Sequence, residues 1–275
     1  MQVPTRTDRA RHQSVPPPVS PSELAALTAA AGLTGAAVQI RRLDGGFRVA
    51  LEAAAMYPAS MIKTPLAIAA GAAVAAGRLA FDDAVTVDPA NMTVNDAPSP
   101  LQPGYVATVA ELVALMIERS DNVATNLLID RLGRAQATAD IAALGFPQTA
   151  FHRKVSGADP LVDDPAATGR NAHPAAEAAT LFERIADGRL PAAGIVYRSL
   201  QRQVWNTKLS AGLEPGDRFA HKTGDTDATS HDGGILDLRE GGRFAIVVYT
   251  DRPSNDETDA RFVAFMRALR PRLIA

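Results

Sequence analysis

The sequence predicts an α+β fold: an antiparallel sheet flanked by helices, built from both chain ends, with an all-α portion inserted between them. Three observations predict it. Residues 36–52 alternate in polarity and are broken by Asp44-Gly45-Gly46, a hairpin signal near the N-terminal end. Two apolar runs, 234–238 and 244–250, flank Glu240-Gly241-Gly242 near the C-terminal end. Between these hairpins the chain carries helical periodicities and helix caps.

The elements follow in order. Ser20-Pro21-Ser22-Glu23 combines a capping box with proline at the first helical position, so a helix begins there and stops near Gly32. Residues 61–79 are alanine-rich and apolar on all sides, which predicts a helix buried at the centre of the molecule. Residues 82–107 are rich in Pro, Asn, Asp and Gly and predict a loop. Thr108-Val109-Ala110-Glu111 is a second capping box, opening a helix to about Arg119. Helices over 122–132 and 135–144 are closed by Gly133 and Gly145. The stretch 146–173 is irregular, and long loops in compact domains are commonly functional. Helices from Pro174 to Gly188 and over 195–204, a strand over 218–223, and an amphipathic helix over 256–270 complete the chain.

Composition bounds the function. The chain has 275 residues, 47% hydrophobic, enough for one large domain. The expectation is a disordered, proline-containing leader over 1–19 and a single domain over 20–275. Its α/β part comprises 20–54 and 205–275, and its all-α part 55–204. A net charge of −2 offers no electrostatic footprint for nucleic acid or an anionic membrane. The absence of cysteine excludes disulfides, thiolate metal sites and thiol nucleophiles. The histidines at 12, 152, 173, 221 and 231 lack metal-ligand spacing, so neither metal nor cofactor is expected. No apolar stretch reaches the roughly 20 residues of a membrane span. The basic N-terminus is not followed by the apolar region of a signal peptide.

Three short motifs carry chemistry: Ser60-Met61-Ile62-Lys63, Ser120-Asp121-Asn122 and Lys222-Thr223-Gly224. Each is common alone. Together, in this order, in a chain with only four lysines (63, 154, 208 and 222) of which two fall in motifs, they resemble the signature of class A β-lactamases and penicillin-binding proteins. Thr-Val-Ala-Glu-Leu before Ser120, Asn126-Leu127-Leu128, and Ala-Gly-Leu-Glu-Pro-Gly before His221 resemble the same family's connecting segments, so the likeness runs from about residue 20 to the C-terminus.

The chemistry of these residues agrees. A serine hydroxyl needs a base beside it to attack at neutral pH. Lys63 lies one helical turn after Ser60, and burial would lower its pKa from about 10.4 toward that of a useful base. Ser120 offers a hydroxyl to relay a proton to a leaving nitrogen, and Asn122 an amide that can hold both a lysine and a substrate carbonyl. Lys222 and Thr223 suit a substrate carboxylate, and Gly224 permits close backbone approach. The resemblance implies an oxyanion hole from the amides of Ser60 and Asp225, and a site in the groove between the two parts. His221 is expected to be structural, Trp205 and Tyr57 packing residues, and Arg41-Arg42 a solvated hairpin face.

One departure bears on turnover. Class A β-lactamases use a loop glutamate to activate the deacylating water. Residues 145–175 contain no glutamate here, which leaves Asp159, Asp163 and Asp164 as the candidate carboxylates. The expected function is therefore a β-lactamase-like serine hydrolase acting on a small-molecule cyclic amide. The alternatives are a penicillin-binding-protein-like peptidase or esterase with slow deacylation, and a binder acylated once. A monomer is expected. Localisation stays open between the cytoplasm, from the missing export signal, and the cell exterior, where the family acts.

Overall fold

The computed structural model describes residues 19–156 and 163–274. Its strands are β1 (Ala37–Arg42), β2 (Arg48–Leu51), β3 (Ala84–Thr86), β4 (Val106–Thr108), β5 (Arg218–Asp225), β6 (Ser230–Asp237) and β7 (Arg243–Thr250). Five form one antiparallel sheet in the order β2-β1-β7-β6-β5. N-terminal β1 pairs directly with C-terminal β7, with Gln39 opposite Val247, so the two chain ends share one sheet as the hairpin signals predict. The leader expected over 1–19 lies outside the described residues apart from Val19, which is buried.

The helices are α1 (Pro21–Ala30), α2 (Lys63–Ala75), α3 (Val109–Glu118), α4 (Asn122–Leu132), α5 (Arg134–Ala143), α6 (Ala175–Ala186), α7 (Ala193–Gln201) and α8 (Asp256–Leu273). They cover both sheet faces. Strand alternation sends Phe244, Ile246 and Val248 of β7 toward α1 and α8, and Ala245, Val247 and Tyr249 toward the helices on the other side. On the first face Phe262, Phe265, Met266 and Leu269 of α8 are fully buried, each contributing about 1.5–3 kcal/mol by apolar transfer.

Helix α2 is the central helix expected from its composition. Leu66, Ile68, Ala69 and Ala70 are all fully buried, and the helix packs against α3, α4, α5 and α7. Such close packing needs small residues: a Cβ at Gly71 would lie 2.6 Å from Ala192 Cβ and 2.8 Å from Pro191 O.

Several local expectations need correction. The central helix ends at Ala75, not Leu79, because Gly77 turns left-handed (φ 67°) and stops it. The stretch 82–107, expected to be loop, contains the two-stranded ribbon β3–β4, pairing Val85 with Ala107. The Ser20 capping box is complete, but only half of the Thr108 box forms. Thr108 Oγ1 accepts from Glu111 N at 3.1 Å, while the Glu111 carboxylate turns to the Tyr105 hydroxyl at 2.9 Å. Helix α8 continues through Pro271, which removes only one donor in its last turns. Arg41 is buried rather than solvated: it donates to Thr180 Oγ1 (2.7 Å), Glu183 (3.1 Å) and Ala176 O (3.0 Å), joining β1 to α6.

Candidate active site

Ser60 lies in a single turn of 3-10 helix, Ala59–Ile62, that leads into α2. The turn is reached through Ala59, a non-glycine residue held at φ 46°. Strained backbone of this kind persists only where its surroundings over-determine it. Lys63 is the first residue of α2 and is wholly buried. Its ammonium donates to Ser120 O (2.6 Å), Ser120 Oγ (3.1 Å) and Asn122 Oδ1 (2.7 Å), which accounts for its three N–H groups. Among the described residues Ser60 Oγ makes no hydrogen bond, so the amine one turn away is oriented by the second motif and not by Ser60 itself.

Ser120 is the second strained residue, at φ 59°. It stands between α3, whose Leu115 O receives Asp121 N, and α4, which Asp121 caps by accepting from Ala124 N at 2.8 Å. The Ser-Asp-Asn tripeptide is thus a helix cap, and the cap turns the Ser120 hydroxyl inward. Lys222 Nζ donates to Ser120 Oγ at 2.9 Å and to Thr223 O at 2.8 Å. Two lysines therefore grip one hydroxyl.

Burial, then the neighbouring charge of Lys222, hold the Lys63 amine well below the ordinary lysine pKa, against the opposing pull of Asp121 and Asp96. Burial likewise brings Lys222 down to about 7. Both amines thus give up their protons at a lower pH than a surface lysine does.

Strand β5 is an edge strand and lies against the 3-10 turn. Gly224 makes this contact feasible: a Cβ there would lie 2.9 Å from Pro58 O and 3.1 Å from Met61 N. Ser60, Ser120, Thr223 and Asp225 line one cavity of about 540 Å³ between the sheet and the helices. Sequence reasoning missed several of its other walls. Asp96, from the 87–105 segment, and Thr207, Lys208 and Asp259 all line it. Trp205, expected only to pack, lines it too, with its indole N–H donating to Arg119 O at 3.1 Å. Lys208 is buried and ion-paired with Asp225, and also donates to His231 O at 3.2 Å. A lysine so placed could have drawn notice in a chain with only four.

A family model described as the beta-lactamase enzyme family matches residues 21–267. The chain belongs to the beta-lactamase enzyme family. Solved structures agree. PBP-A, in a mutant form solved as an acyl-enzyme complex with penicillin G, is 28% identical with a TM-score of 0.77 over 94% of this chain and 98% of its own. A beta-lactamase from Sphaerobacter thermophilus is 27% identical, TM-score 0.76, covering 92% and 98%. An ancestral class A beta-lactamase is 27% identical, TM-score 0.77, covering 90% and 99%. No curated protein matches the chain. The α+β architecture read from the sequence is the beta-lactamase/transpeptidase-like fold. Among the described residues no helix is long and apolar enough to cross a membrane.

The described ends of the long stretch after α5 are tied down by side-chain hydrogen bonds. Asn126 of α4 clamps the loop's start, donating to Val155 O (2.9 Å) and accepting from Val155 N (2.8 Å). Asp163 is ion-paired with Arg134 and accepts from Lys154 N at 2.8 Å. Asp164 accepts from Ala166 N at 2.8 Å. Both face a separate surface cavity with Asp130 and Lys154, so the structure does not bring them to Ser60. Local turn geometry and a nearby arginine claim these carboxylates. Asp159 lies outside the described residues. His221 faces the opposite side of β5 from Lys222, between Asp232 Oδ1 (2.8 Å) and Asn206 Oδ1 (3.0 Å). Asn122 donates its amide to Val94 O at 2.8 Å, which ties the 87–105 segment to the site.

Proposed function

We propose that this beta-lactamase family member is a serine hydrolase that opens a β-lactam through an acyl-enzyme on Ser60. The observation that carries the reading is the Ser120 hydroxyl held between Lys63 and Lys222 at the edge of the cavity that Ser60 lines. A hydroxyl oxygen offers two acceptor sites and one donor. With both acceptor sites taken by lysines, the Ser120 proton is left to point at a bound ligand.

The steps balance as follows. Lys63, once it has given up a proton and with it one of its three hydrogen bonds, is a free amine that takes the Ser60 proton while Ser60 Oγ attacks the lactam carbonyl carbon. The amides of Ser60 and of Asp225, the last residue of β5, receive the developing oxyanion. The C–N bond then breaks, and the leaving nitrogen takes a proton from Ser120 Oγ, which Lys63 replaces. Lys222 and Thr223 hold the substrate carboxylate, and water finally cleaves the ester. No step calls on a metal or cofactor.

The loop favours a second reading for the last step. With no glutamate at 145–175, and Asp163 and Asp164 turned away, acylation outruns hydrolysis, as expected of a penicillin-binding-protein-like enzyme or of a binder acylated once. Intact mass spectrometry over time after exposure to a penicillin tests both. A transient adduct with turnover of a chromogenic cephalosporin supports the hydrolase. A persistent adduct without turnover supports the second reading, and no adduct on Ser60 rejects both.

A further inference from the structure

His231 has no part in the three motifs, yet it is fully buried and sits directly behind the Ser60 turn. Its ring is gripped on both nitrogens. Thr250 N, a backbone donor, points at Nδ1 at 3.1 Å, and Tyr57 O, a backbone acceptor, receives Nε2 at 2.8 Å. A backbone N–H can only donate and a carbonyl can only accept, so Nδ1 is bare and Nε2 carries the proton. The ring is also stacked on Tyr249, with centroids 4.2 Å apart and planes 17° from parallel. Its orientation is therefore fixed by the adjacent strands β6 and β7.

We propose that His231 is a positioning residue for the nucleophile, the neutral Nε2–H imidazole tying the Tyr57 carbonyl to the sheet and so setting the turn that presents Ser60. The inference rests on the acyl-enzyme reading above. Three features make the tie consequential. Tyr57 is three residues before Ser60, and the intervening Ala59 is held at φ 46°, a conformation that relaxes unless both flanks are fixed. On the other flank, Gly224 lets β5 press on Pro58 and Met61. The ring end of the tie is fully buried, and losing it removes the side-chain hydrogen bond that holds the Tyr57 carbonyl. Burial, the largest cause, holds the ring's pKa down to about 4, with Lys208 lowering it further and Asp225 opposing, so the neutral form persists at pH 7.

The sequence offers the same residue a second task through its backbone. The His231 carbonyl accepts from Lys208 at 3.2 Å, so one residue of β6 braces the Ser60 turn with its ring and a cavity lysine with its main chain.

The test compares His231→Leu with His231→Gln, the glutamine amide retaining a donor near the Nε2 position. Stopped-flow acylation by a fluorescent penicillin is measured beside the thermal midpoint of each variant. His231→Leu is expected to acylate about 10- to 100-fold more slowly, the scale set by ångström-level misplacement of a reacting group, with prior non-covalent binding changed less than about two-fold. His231→Gln is expected to recover most of the rate. A Leu variant that acylates as fast as the parent overturns the inference, as does a folded Gln variant no faster than the Leu variant. If neither variant folds, ring-nitrogen NMR of the parent decides: a proton on Nε2 and none on Nδ1 supports the tie, and the reverse overturns it. No Ser60 adduct in the parent overturns the acyl-enzyme reading and this inference with it, whereas an adduct formed at an unchanged rate in the Leu variant overturns the inference alone.

Discussion

Lys63 and Lys222 donate to the same oxygen, Ser120 Oγ, from 3.1 and 2.9 Å. Two like charges on one acceptor, both out of water, disfavour each other, so the charge on Lys222 helps to depress Lys63. In the proposed mechanism one amine accepts a proton while the other holds an anion. Lys63→Ala is expected to slow Ser60 acylation by about 10²- to 10⁴-fold, the usual span for a lost general base. Lys63→Arg is not expected to recover it, because arginine stays protonated. Stopped-flow acylation rates check both, and a parent-like rate in Lys63→Ala removes this lysine from the mechanism.

The pH profile of acylation follows from the same pair. In the proposed mechanism protonated Lys222 holds the substrate carboxylate, and burial brings the lysine's pKa to about 7. Acylation is therefore expected to fall as pH rises through about 7. It is expected to rise with pH over the range in which Lys63, depressed by burial and by Lys222, loses its proton. Lys222→Arg should remove the alkaline fall while leaving the acid limb, since guanidinium does not titrate there. An unchanged alkaline limb in that variant would assign it to another group.

Much of this was legible in the sequence, for physical reasons that differ by element. Ser20 and the Gly-rich hairpins announce themselves because caps and left-handed turns demand particular residues. The buried helix shows itself because it lacks a polar face. Strands β3 and β4 were not legible: three residues each are too few for a period-2 pattern. Ser120 is bonded by both Lys63 and Lys222, and the amide chemistry of Asn122 already offered a partner for Lys63. Helical spacing places Lys63 near Ser60, whereas its bonds run to Ser120 and Asn122, which are 57 and 59 positions along the chain. Lys208, Asp96 and His231 were missed because their roles come from tertiary approach, which leaves no local pattern.

Acid should destabilise the fold through two buried histidines. Burial holds His231 at about 4 and His173 at about 3, both below the ordinary 6.5. The Thr149 hydroxyl donates to Glu177 at 2.6 Å and so accepts from His173 Nδ1 at 2.8 Å, a network satisfied with a neutral ring. A group with a depressed folded pKa binds protons preferentially in the unfolded chain. Stability is thus intact above pH 6.5 and is lost as pH falls from there toward 4 and 3, by several kcal/mol in all. Urea midpoints measured from pH 7 to 4 should fall accordingly, and His173→Gln should flatten the decline. Midpoints level across that range would contradict the assignment.

The loop carboxylates yield a negative prediction. Asp163 is ion-paired with Arg134 and accepts from Lys154 N, so its work is to hold the loop against α5. Asp163→Asn is expected to lower stability by about 1–3 kcal/mol, the range for disturbing a buried charged partner, and to leave the decay rate of any Ser60 adduct unchanged. Asp164→Ala should affect neither. A slower adduct decay in either variant would make that aspartate the deacylating base.

Gly224 provides the sharpest test of geometry at the site. An added methyl would stand 2.9 Å from Pro58 O and 3.0 Å from Met61 Cγ, closer than packed atoms tolerate. The methionine side chain can yield, but the Pro58 carbonyl belongs to the turn that carries Ser60. Relief must therefore come from β5 and the turn moving apart, which widens the distance from Ser60 to Thr223 and Asp225 across the cavity. Gly224→Ala is expected to lose about 1–3 kcal/mol of stability by overpacking and at least about ten-fold in acylation rate. Denaturant titration and stopped-flow acylation measure the two losses separately. A stable variant with the parent's acylation rate would show that the close strand–turn contact does not set the position of Ser60.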